Sequence, residues 1–438
     1  MFRYYVKLGL TSIRKNPILS ALMIAAIAVG IGACMTIINI YYVMGGNPIP
    51  NRSDVLYYVQ VDNWDPNNAY DDPNEPPVQV TYMDGKALLD ARKARRQVLS
   101  YKTGRVIEPQ NEGERPFQVV SRATTADFFA MFDTPFLFGS GWDRAADDSE
   151  ENVVVISREI NERVFGGDNP VGKTLVMNGD PYRVMGVLDT WEPMPKFYDI
   201  NNGAFDPPEE VYFPLSLAIS KELYSWGNNS CWKPSGGGWA AYLQSECIWL
   251  QFWVELHGAS EKQAYIGFLN AYVESQKELG RFPRPMNNRL SNVMQWMESQ
   301  HVVVDDVNVL MGLSFLFLIV CLLNTIGLLL AKVARRTGDI SLRRALGASR
   351  RAIFSQYIVE AGVIGFGGGI LGIGMTWLGL QGILALYGEF EFMTRLVQMD
   401  WAIIFDAIGL AVVSALAAAL YPTWRACAVH PANQLKAL

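Results

Sequence analysis

Four long apolar stretches with few or no charges constrain this chain more than any other feature. Residues 18–46 and 307–331 contain no charged side chain. Residues 352–387 contain one, Glu360, and residues 401–424 contain one, Asp406. A helix of about 25 residues extends about 37 Å, which exceeds the roughly 30 Å of a hydrocarbon core. We therefore predict a membrane protein with four transmembrane helices at these stretches.

The distribution of basic residues sets the orientation of these helices. Residues 1–17 contain four basic side chains and no acid, and the loop 332–351 contains seven basic side chains against Asp339. Because basic loops remain in the cytoplasm, both segments and the tail 425–438 are predicted to be cytoplasmic. The acidic loop 388–400 is predicted to lie outside.

Residues 47–306 then form one large domain outside the cytoplasm. The whole chain has a formal net charge of −6, and its basic residues are concentrated in the inner segments, so this domain is strongly acidic. Such a surface repels nucleic acid, and no nucleic-acid partner is expected.

The residue pattern of this outer domain predicts a mixed α/β fold. Strands are expected at 55–61, 117–123, 153–157, 174–177, 182–188 and 247–256, and helices at 82–96, 125–131, 157–165 and 261–279. A helical pattern at 288–300 leads towards the second span. It predicts a stalk helix that is continuous with that span.

The segment GDNPVGKT at 167–174 matches the phosphate-loop pattern G-x-x-x-x-G-K-[ST]. A phosphate loop follows a buried strand and opens a helix, whereas this segment follows a helical pattern and precedes two alternating stretches around an Asn-Gly-Asp turn. It also belongs to the domain predicted to lie outside the cytoplasm, where ATP is scarce. We interpret it as a helix-to-hairpin turn with Lys173 in solvent.

No catalytic or metal site is indicated. The three histidines, His257, His301 and His430, are widely separated and lack cysteine or acidic partners at metal-ligand spacing. Neither a G-x-S-x-G nor an H-E-x-x-H motif occurs. We expect no catalytic residue, no metal ion and no cofactor bound by this chain.

Two of the five cysteines, Cys231 and Cys247, lie in the outer domain, where oxidation is permitted. A bridge between them would close a loop of about 17 residues and stabilise the domain by about 3 kcal/mol. We favour the disulfide, and two buried thiols are the alternative. Cys34, Cys321 and Cys427 are expected to be free thiols.

The segment 224–253 contains five tryptophans. Trp226, Trp232 and Trp239 are interleaved with Gly, Ser and Asn, a composition that can form a contact surface for a substrate or partner. The alternative is that they hold a long loop in place. Trp249 and Trp253 are predicted to belong to the core of a strand.

The third span combines small residues with an intramembrane acid. Gly365 and Gly369, like Gly368 and Gly372, have the small-xxx-small spacing that permits close helix packing, within the chain or across a dimer.

Glu360 and Asp406 are costly in hydrocarbon and are candidates for an ion path. They lie near opposite ends of their helices, however, so we expect polar surroundings or partners for each instead of a relay.

The inner loop contains a short basic helix. Asp339 begins about two helical turns that end at Leu346, and Gly347 is placed as a helix stop. Ser349 can cap the following span. Such a helix can simply anchor the topology, or it can dock a cytoplasmic partner.

The chain resembles the MacB, LolC and FtsX type of ABC transporter permease, the mechanotransmitting class. The resemblance rests on DISLRRALGASRRAI at 339–353, on the closing segment 420–438 and on the outer-domain pattern at 153–188. The opening segment 10–32 is also similar, so the likeness includes both ends and the middle of the chain.

This resemblance implies partners. The permeases of this class dimerise, with an identical or a sister copy, and their short inner helix contacts an ATPase subunit that binds ATP and Mg. Here the contact residues would be Asp339, Ile340, Leu342, Arg343, Arg344, Leu346 and Gly347, with the three apolar side chains packing and the two arginines pairing with acids. MacB itself carries its ATPase domain before the first span, where this chain has about 17 residues, so a separate cytoplasmic ATPase is expected.

Three functions fit a permease of this class in a bacterial inner membrane. The leading one is tripartite efflux of peptides, antibiotics or other amphiphiles with a periplasmic adaptor and an outer-membrane duct. Lipoprotein release of the LolC type is the first alternative, in which the tryptophan-rich segment would shield acyl chains. FtsX-like activation of a cell-wall hydrolase is the second alternative. Against all three stands a plain membrane receptor, which would lack any nucleotide-dependent partner.

Overall fold

The structure of the chain is a computed structural model that describes residues 2–109, 115–387 and 401–428. The chain divides into two compact units, Met1–Met44 with Val303–Leu438, and Gly45–Val302. The loop predicted at 388–400 and most of the tail predicted at 425–438, including His430, lie outside the described residues.

The described helices and strands have the following bounds. The helices are α1 (Phe2–Lys15), α2 (Pro17–Gly45), α3 (Tyr82–Ala91), α4 (Asp127–Met131), α5 (Arg144–Asp148), α6 (Arg158–Phe165), α7 (Leu215–Ser220), α8 (Trp239–Leu243), α9 (Gly258–Glu278), α10 (Val293–Ser299), α11 (Asp305–Arg335), α12 (Thr337–Ala345), α13 (Arg350–Tyr387) and α14 (Trp401–Ala428), with a 3-10 helix at Phe197–Asn202. The strands are β1 (Leu56–Gln60), β2 (Val80–Thr81), β3 (Arg96–Ile107), β4 (Phe117–Thr124), β5 (Phe136–Gly139), β6 (Val153–Ile156), β7 (Thr174–Met177), β8 (Asp180–Leu188), β9 (Val211–Pro214), β10 (Ser230–Cys231), β11 (Cys247–Glu255) and β12 (Arg289–Asn292).

Four described helices, α2, α11, α13 and α14, are long and apolar enough to cross a membrane. Each contains most of one of the four predicted spans. The amphipathic helix α1 precedes them, with the basic side chains Arg14 and Lys15 in its last turn. Cations in this position are favoured by the negative end of the helix dipole.

The small residues of α13 pack closely against two neighbouring helices of the same chain. A Cβ atom added at Gly365 would lie 2.6 Å from Cβ of Ala415 in α14, and one at Gly369 would lie 3.1 Å from Cα of Ile408. On another face, a Cβ at Gly372 would lie 3.0 Å from Cγ2 of Ile31 in α2. The predicted packing glycines therefore serve contacts within the chain.

The outer unit is built on one twelve-stranded sheet. Its main path has the order β12-β1-β11-β3-β4-β9-β6-β8-β5, while β2 and β10 pair with β11, and β7 pairs with β3 and β8. The pairs β4–β9 and β6–β8 are parallel, and the other pairs are antiparallel. The mixed α/β fold predicted for this unit is confirmed.

The central strands are buried on both faces of this sheet. Along β1, Tyr57 and Val59 belong to one apolar cluster, whereas Leu56 and Tyr58 belong to the other. Helices α6, α7 and α9 contribute side chains to the first cluster, and helices α4 and α10 contribute to the second. This alternation follows from the period of two in a strand.

The structure confirms that the GDNPVGKT segment is a helix-to-hairpin turn. Helix α6 ends at Gly166, whose φ of 70° lies in the left-handed region. The segment then leads into the antiparallel hairpin of β7 and β8, and Lys173 is exposed. Because no helix begins after the lysine, the backbone amides are not arranged to hold a phosphate.

The predicted continuity of a stalk helix with the second span is wrong. Residues 289–292 form a strand, and α10 then ends before Gln300. His301 has a φ of 48°, and Val302 is buried in the second apolar cluster. The left-handed conformation of His301 and the burial of Val302 prevent α10 from continuing. A separate helix, α11, then begins at Asp305.

The helix predicted at 82–96 is also too long. Arg92 has a φ of 49° and its N–H donates to the Leu89 carbonyl, which ends α3. Arg96 begins the long strand β3, which the sequence analysis did not predict. Its basic residues, such as Lys102 and Arg105, interrupt the apolar pattern that marks the other strands.

A buried ionic network fastens the 3-10 helix to the sheet. Arg122 of β4 forms ion pairs with Asp199 and with Glu209, where Nη2 and Oε1 are 2.8 Å apart, and all three side chains are fully buried. Lys196 Nζ lies 3.4 Å from the same Glu209 oxygen, and the Tyr198 hydroxyl donates to the other one at 2.9 Å.

Opposing effects act on the pKa of Glu209. Burial alone would raise this pKa, but the positive charges of Arg122 and Lys196 outweigh burial and hold it below its ordinary value. The carboxylate therefore remains ionised and paired at neutral pH.

Replacement of Arg122 tests how much this network contributes. We expect Arg122→Met to destabilise the outer domain by about 3–5 kcal/mol, because only Lys196 would remain to balance two buried acids. The measurement is the thermal unfolding midpoint of the purified full chain, followed by tryptophan fluorescence. The matched control is Arg183→Met, since the Arg183–Glu151 pair is about half exposed and should contribute about 1 kcal/mol or less. Equal shifts for both variants would contradict the assignment.

Alanine substitution tests the packing of α13. Gly365→Ala should lower the unfolding midpoint of the membrane unit by several degrees, since its new methyl group would overlap Ala415 and force α13 and α14 apart. Gly374→Ala makes the same change in the same helix at a position with no atom within 4 Å, and we expect no loss there. The midpoint is measured on detergent-solubilised protein, and a loss at Gly374 that equals the loss at Gly365 would refute the packing argument.

Candidate functional site

The short helix α12 between two predicted spans is the candidate site of partner binding. Asp339 lies in its first turn, where the helix dipole favours an acid. Gly347 follows with a φ of 100°, and its N–H donates to the Arg344 carbonyl at 3.1 Å. The Ser349 hydroxyl then accepts from the Ala352 N–H at 3.2 Å and caps α13. Local sequence therefore fixes both ends of this segment.

One face of α12 is anchored within the membrane unit. Ile340 is 4% exposed and belongs to a small apolar cluster with Val333, Ile353 and Cys427. The prediction gave Ile340 a partner-facing role alongside Leu342 and Leu346. The structure instead places it inward, where it holds α12 to the ends of α11, α13 and α14.

The opposite face of α12 presents apolar side chains to the surroundings. Leu342 is 56% exposed and Leu346 is 81% exposed, with the exposed Asp339 on the same short helix. Exposed leucines on so short a helix leave apolar area that a protein partner can bury. This face is therefore the candidate binding face of α12.

The two arginines of α12 have separate environments. Arg343 is exposed and donates from Nη1 to Gln356 Oε1 of α13 at 3.0 Å. Arg344 is half-buried, and its Nη1 lies 3.5 Å from the Cys427 carbonyl near the end of α14. Arg343 is therefore available for an acidic partner, whereas Arg344 serves mainly the internal structure.

The intramembrane acids also differ. Glu360 is buried and forms an ion pair with Lys332 of α11, whereas Asp406 is exposed on α14. The polar surroundings expected for Glu360 are present, and Lys332 is a partner that the sequence pattern did not identify. A helical cation at the end of the preceding span is the signal that could have identified this partner.

The tryptophan-rich segment divides between core and surface. Trp249 and Trp253 are fully buried in β11, as predicted. Trp239 is also buried, and its indole N–H donates to the Ile219 carbonyl at 2.9 Å. Its proposed surface role is therefore wrong, because its ring packs on Tyr242 inside the first apolar cluster.

The other two tryptophans of this segment are accessible. Trp226 is 48% exposed and lies over Gly104 of β3, where an added Cβ would come within 1.9 Å of the ring. Trp232 is partly exposed, and Lys233 Nζ lies 4.1 Å from its ring centre.

Cys231 and Cys247 are joined by a disulfide that fastens β10 to β11.

A cleft of about 370 Å³ opens in the outer unit beside α3, α5 and α7. It is lined by both acids and bases, among them Asp127 and Arg144, and by apolar side chains such as Leu215. Burial raises the pKa of Asp147 in this cleft to about 6, although the Ala126 and Trp142 N–H groups donate to its carboxylate. Sequence reasoning did not find this cleft, because its residues come from distant segments.

Groups that could hold a metal ion are not found within residues 2–109, 115–387 and 401–428. In the same residues, Cys34, Cys321 and Cys427 are free and buried.

Two family models match the chain. The MacB-like periplasmic core domain family matches residues 20–258, and the FtsX-like permease C-terminal family matches residues 311–431. The second match contains all of α12, α13 and α14 and most of α11.

Several known proteins are similar in sequence. The Pyoverdine export ATP-binding/permease protein PvdT of Pseudomonas entomophila (strain L48) is 23% identical over 334 residues, which cover 76% of this chain and 45% of that protein. The Macrolide export ATP-binding/permease protein MacB of Pasteurella multocida (strain Pm70) is 22% identical over 395 residues, which cover 87% of this chain and 50% of that protein. The chain spans about half the length of these two relatives.

A solved structure is also similar. The periplasmic region of MacB from Actinobacillus actinomycetemcomitans aligns with a TM-score of 0.37 and 15% identity, covering 59% of this chain and 97% of that one. Since the match to the MacB-like periplasmic core domain family covers more than half of the residues, the chain belongs to the MacB- and FtsX-type family of ABC transporter permeases.

Proposed function

We propose that this chain is the permease subunit through which an ABC ATPase drives conformational change in the extracytoplasmic domain. The observation that carries this proposal is the exposed pair formed by Leu342 on the anchored helix α12 and Leu346 directly after its end. An ATPase that covers these side chains would apply force directly to a helix held between α11 and α13.

The energy of this process comes from ATP and Mg bound to the ATPase. Nucleotide binding shifts the ATPase between two states, and α12 couples that equilibrium to the permease if it fits the two states differently. Arg343 supplies a charge for an acidic partner surface, and Leu342 and Leu346 supply apolar area.

The orientation follows from charge. The basic residues around α12 and at the start of the chain favour the cytoplasmic side of an inner membrane. The acidic outer unit then lies in the periplasm. A second permease copy or a sister permease would complete the transporter, as the family resemblance implies.

The substrate class that we propose is a peptide, an antibiotic or another amphiphile, exported with a periplasmic adaptor and an outer-membrane duct. Export is supported by the names of the relatives, which export pyoverdine and macrolides. Lipoprotein release is supported less, because Trp239 belongs to the core and leaves only Trp226 and Trp232 accessible to shield acyl chains.

Acidic substitutions on α12 test the proposal. Wild type and a Leu342→Asp, Leu346→Asp variant of the tagged full chain are crosslinked in the membrane, purified in detergent and compared by mass spectrometry and ATP hydrolysis. We expect an ABC ATPase with the wild type and at least a tenfold lower recovery with the variant, since the charges would have to be buried in the interface.

The matched control is Leu279→Asp, because Leu279 is an exposed leucine of the outer unit. It should retain the ATPase. Failure to recover any ABC ATPase with crosslinked wild type would make the proposal wrong. A recovered adaptor supports efflux, whereas a bound acyl chain or a cell-wall hydrolase would select lipoprotein release or hydrolase activation instead.

A further inference from the structure

A chain of polar contacts lies buried in the membrane unit, beside the start of α12. Glu360 of α13 pairs through Oε1 with Lys332 of α11, and the Ser12 hydroxyl of α1 donates to the same oxygen. Arg336 donates from Nη1 to the Ser12 oxygen at 2.7 Å, and Lys332 Nζ lies 3.5 Å from the Ser20 hydroxyl of α2. Helices α1, α11 and α13 therefore meet at one carboxylate, and Lys332 links α2 to it.

The pair at the centre of this cluster is shielded from its surroundings. The side chains of Lys332 and Glu360 are each 2% exposed. The second carboxylate oxygen, Oε2, is buried and has no hydrogen-bond partner within the described residues. The negative charge of Glu360 thus depends on contacts at Oε1, and separation from Lys332 would leave a buried charge without compensation.

Helix α1 approaches this carboxylate closely. A Cβ added at Gly9 would lie 3.5 Å from Cα of Glu360 and 3.7 Å from Cγ2 of Val363. Gly9 therefore lies in the contact between α1 and α13, and Ser12, one turn further, reaches Glu360.

The residues of this polar cluster lie on both sides of the candidate coupling helix α12 in the chain. Lys332 lies in the last turn of α11, Arg336 is the residue between α11 and α12, and Glu360 lies in the helix that follows. The chain can bend at two points near α12, at Arg336 and at Gly347. The Lys332–Glu360 pair crosses this segment and fixes the helices on its two sides to each other.

We propose that Lys332 and Glu360 are positioning residues that make α12 and the adjoining ends of α11 and α13 move as one body. The inference rests on the proposed function of α12 as the ATPase contact. A displacement of α12 then passes into both spans, because Ile340 holds α12 to Val333 and Ile353 while the buried pair holds α11 and α13 together. Ser12 extends the same constraint to α1.

Distance measurements by electron paramagnetic resonance test this rigidity. Nitroxide labels are placed by Leu316→Cys on α11 and Ala345→Cys on α12, two exposed positions, in the full chain in lipid nanodiscs. The free cysteines Cys34, Cys321 and Cys427 are buried, so the labels react mainly with the new sites. A protein without new cysteines measures the background.

The informative variant is Lys332→Met with Glu360→Met, which removes both charges together and leaves no unpaired one. We expect a narrow distance distribution for wild type and one at least twice as broad for the double variant. Ser12→Ala removes one hydroxyl and no charge, and it should broaden the distribution less. Lys332→Arg keeps the charge and should stay narrow.

Asp406→Asn is the matched control, because Asp406 is an exposed intramembrane acid outside the cluster. Its distribution should equal that of wild type. A double Met variant as narrow as wild type would overturn the proposal. If that variant does not accumulate, Ser12→Ala carries the test, and an unchanged distribution for it would overturn the proposal as well.

ATPase binding separates this inference from the proposed function. The double Met variant keeps Leu342 and Leu346, so we expect it to retain the crosslinked ATPase within about twofold of wild type while the label distance responds differently to ATP. Loss of ATPase binding in the double Met variant alone would mean that the pair shapes the docking face, which contradicts a purely mechanical role. If wild type recovers no ATPase, the proposed function fails, and the distance distributions still decide whether the pair fixes the helices.

Discussion

The absence of water in the hydrocarbon core is the constraint on which the membrane unit depends. Backbone N–H and C=O groups need hydrogen-bond partners within the protein there. A helix supplies these partners within a single stretch, which explains why the four apolar stretches are helical. Helix pairs gain little from the hydrophobic effect there, and close packing takes its place. Gly365 and Gly369 against α14, and Gly372 against α2, supply that packing. The buried pair of Lys332 and Glu360 satisfies the same constraint for charge.

Features that depend on local pattern could be predicted from the sequence. The spans are long and apolar, and the hairpin after residue 173 has alternating strands around a turn. The strand that contains Trp249 and Trp253 is continuously apolar. In each case the residues that decide the structure are neighbours in the chain, so period, length and turn chemistry are sufficient.

Features that depend on distant residues could not be predicted in this way. Strand β3 is polar enough to escape a pattern search, and its burial comes from β4 and β11 on its two sides. Trp239 follows a Gly-rich stretch that predicts a loop, but it completes the core. Of the α12 side chains, Ile340 faces inward because it packs with Ile353 of the next helix and with Cys427, which lies far along the chain. Only the folded chain separates the anchored side of α12 from the exposed one.

The two connections between the units have a mechanical consequence. The chain leaves helix α2 at Gly45 and enters helix α11 at Asp305, and the residues next to both points are not helical. A helix resists bending and twisting along its length, whereas a short non-helical tether resists mainly stretching. Neither connection is therefore a rigid rod by itself, and each of them transmits tension better than torque.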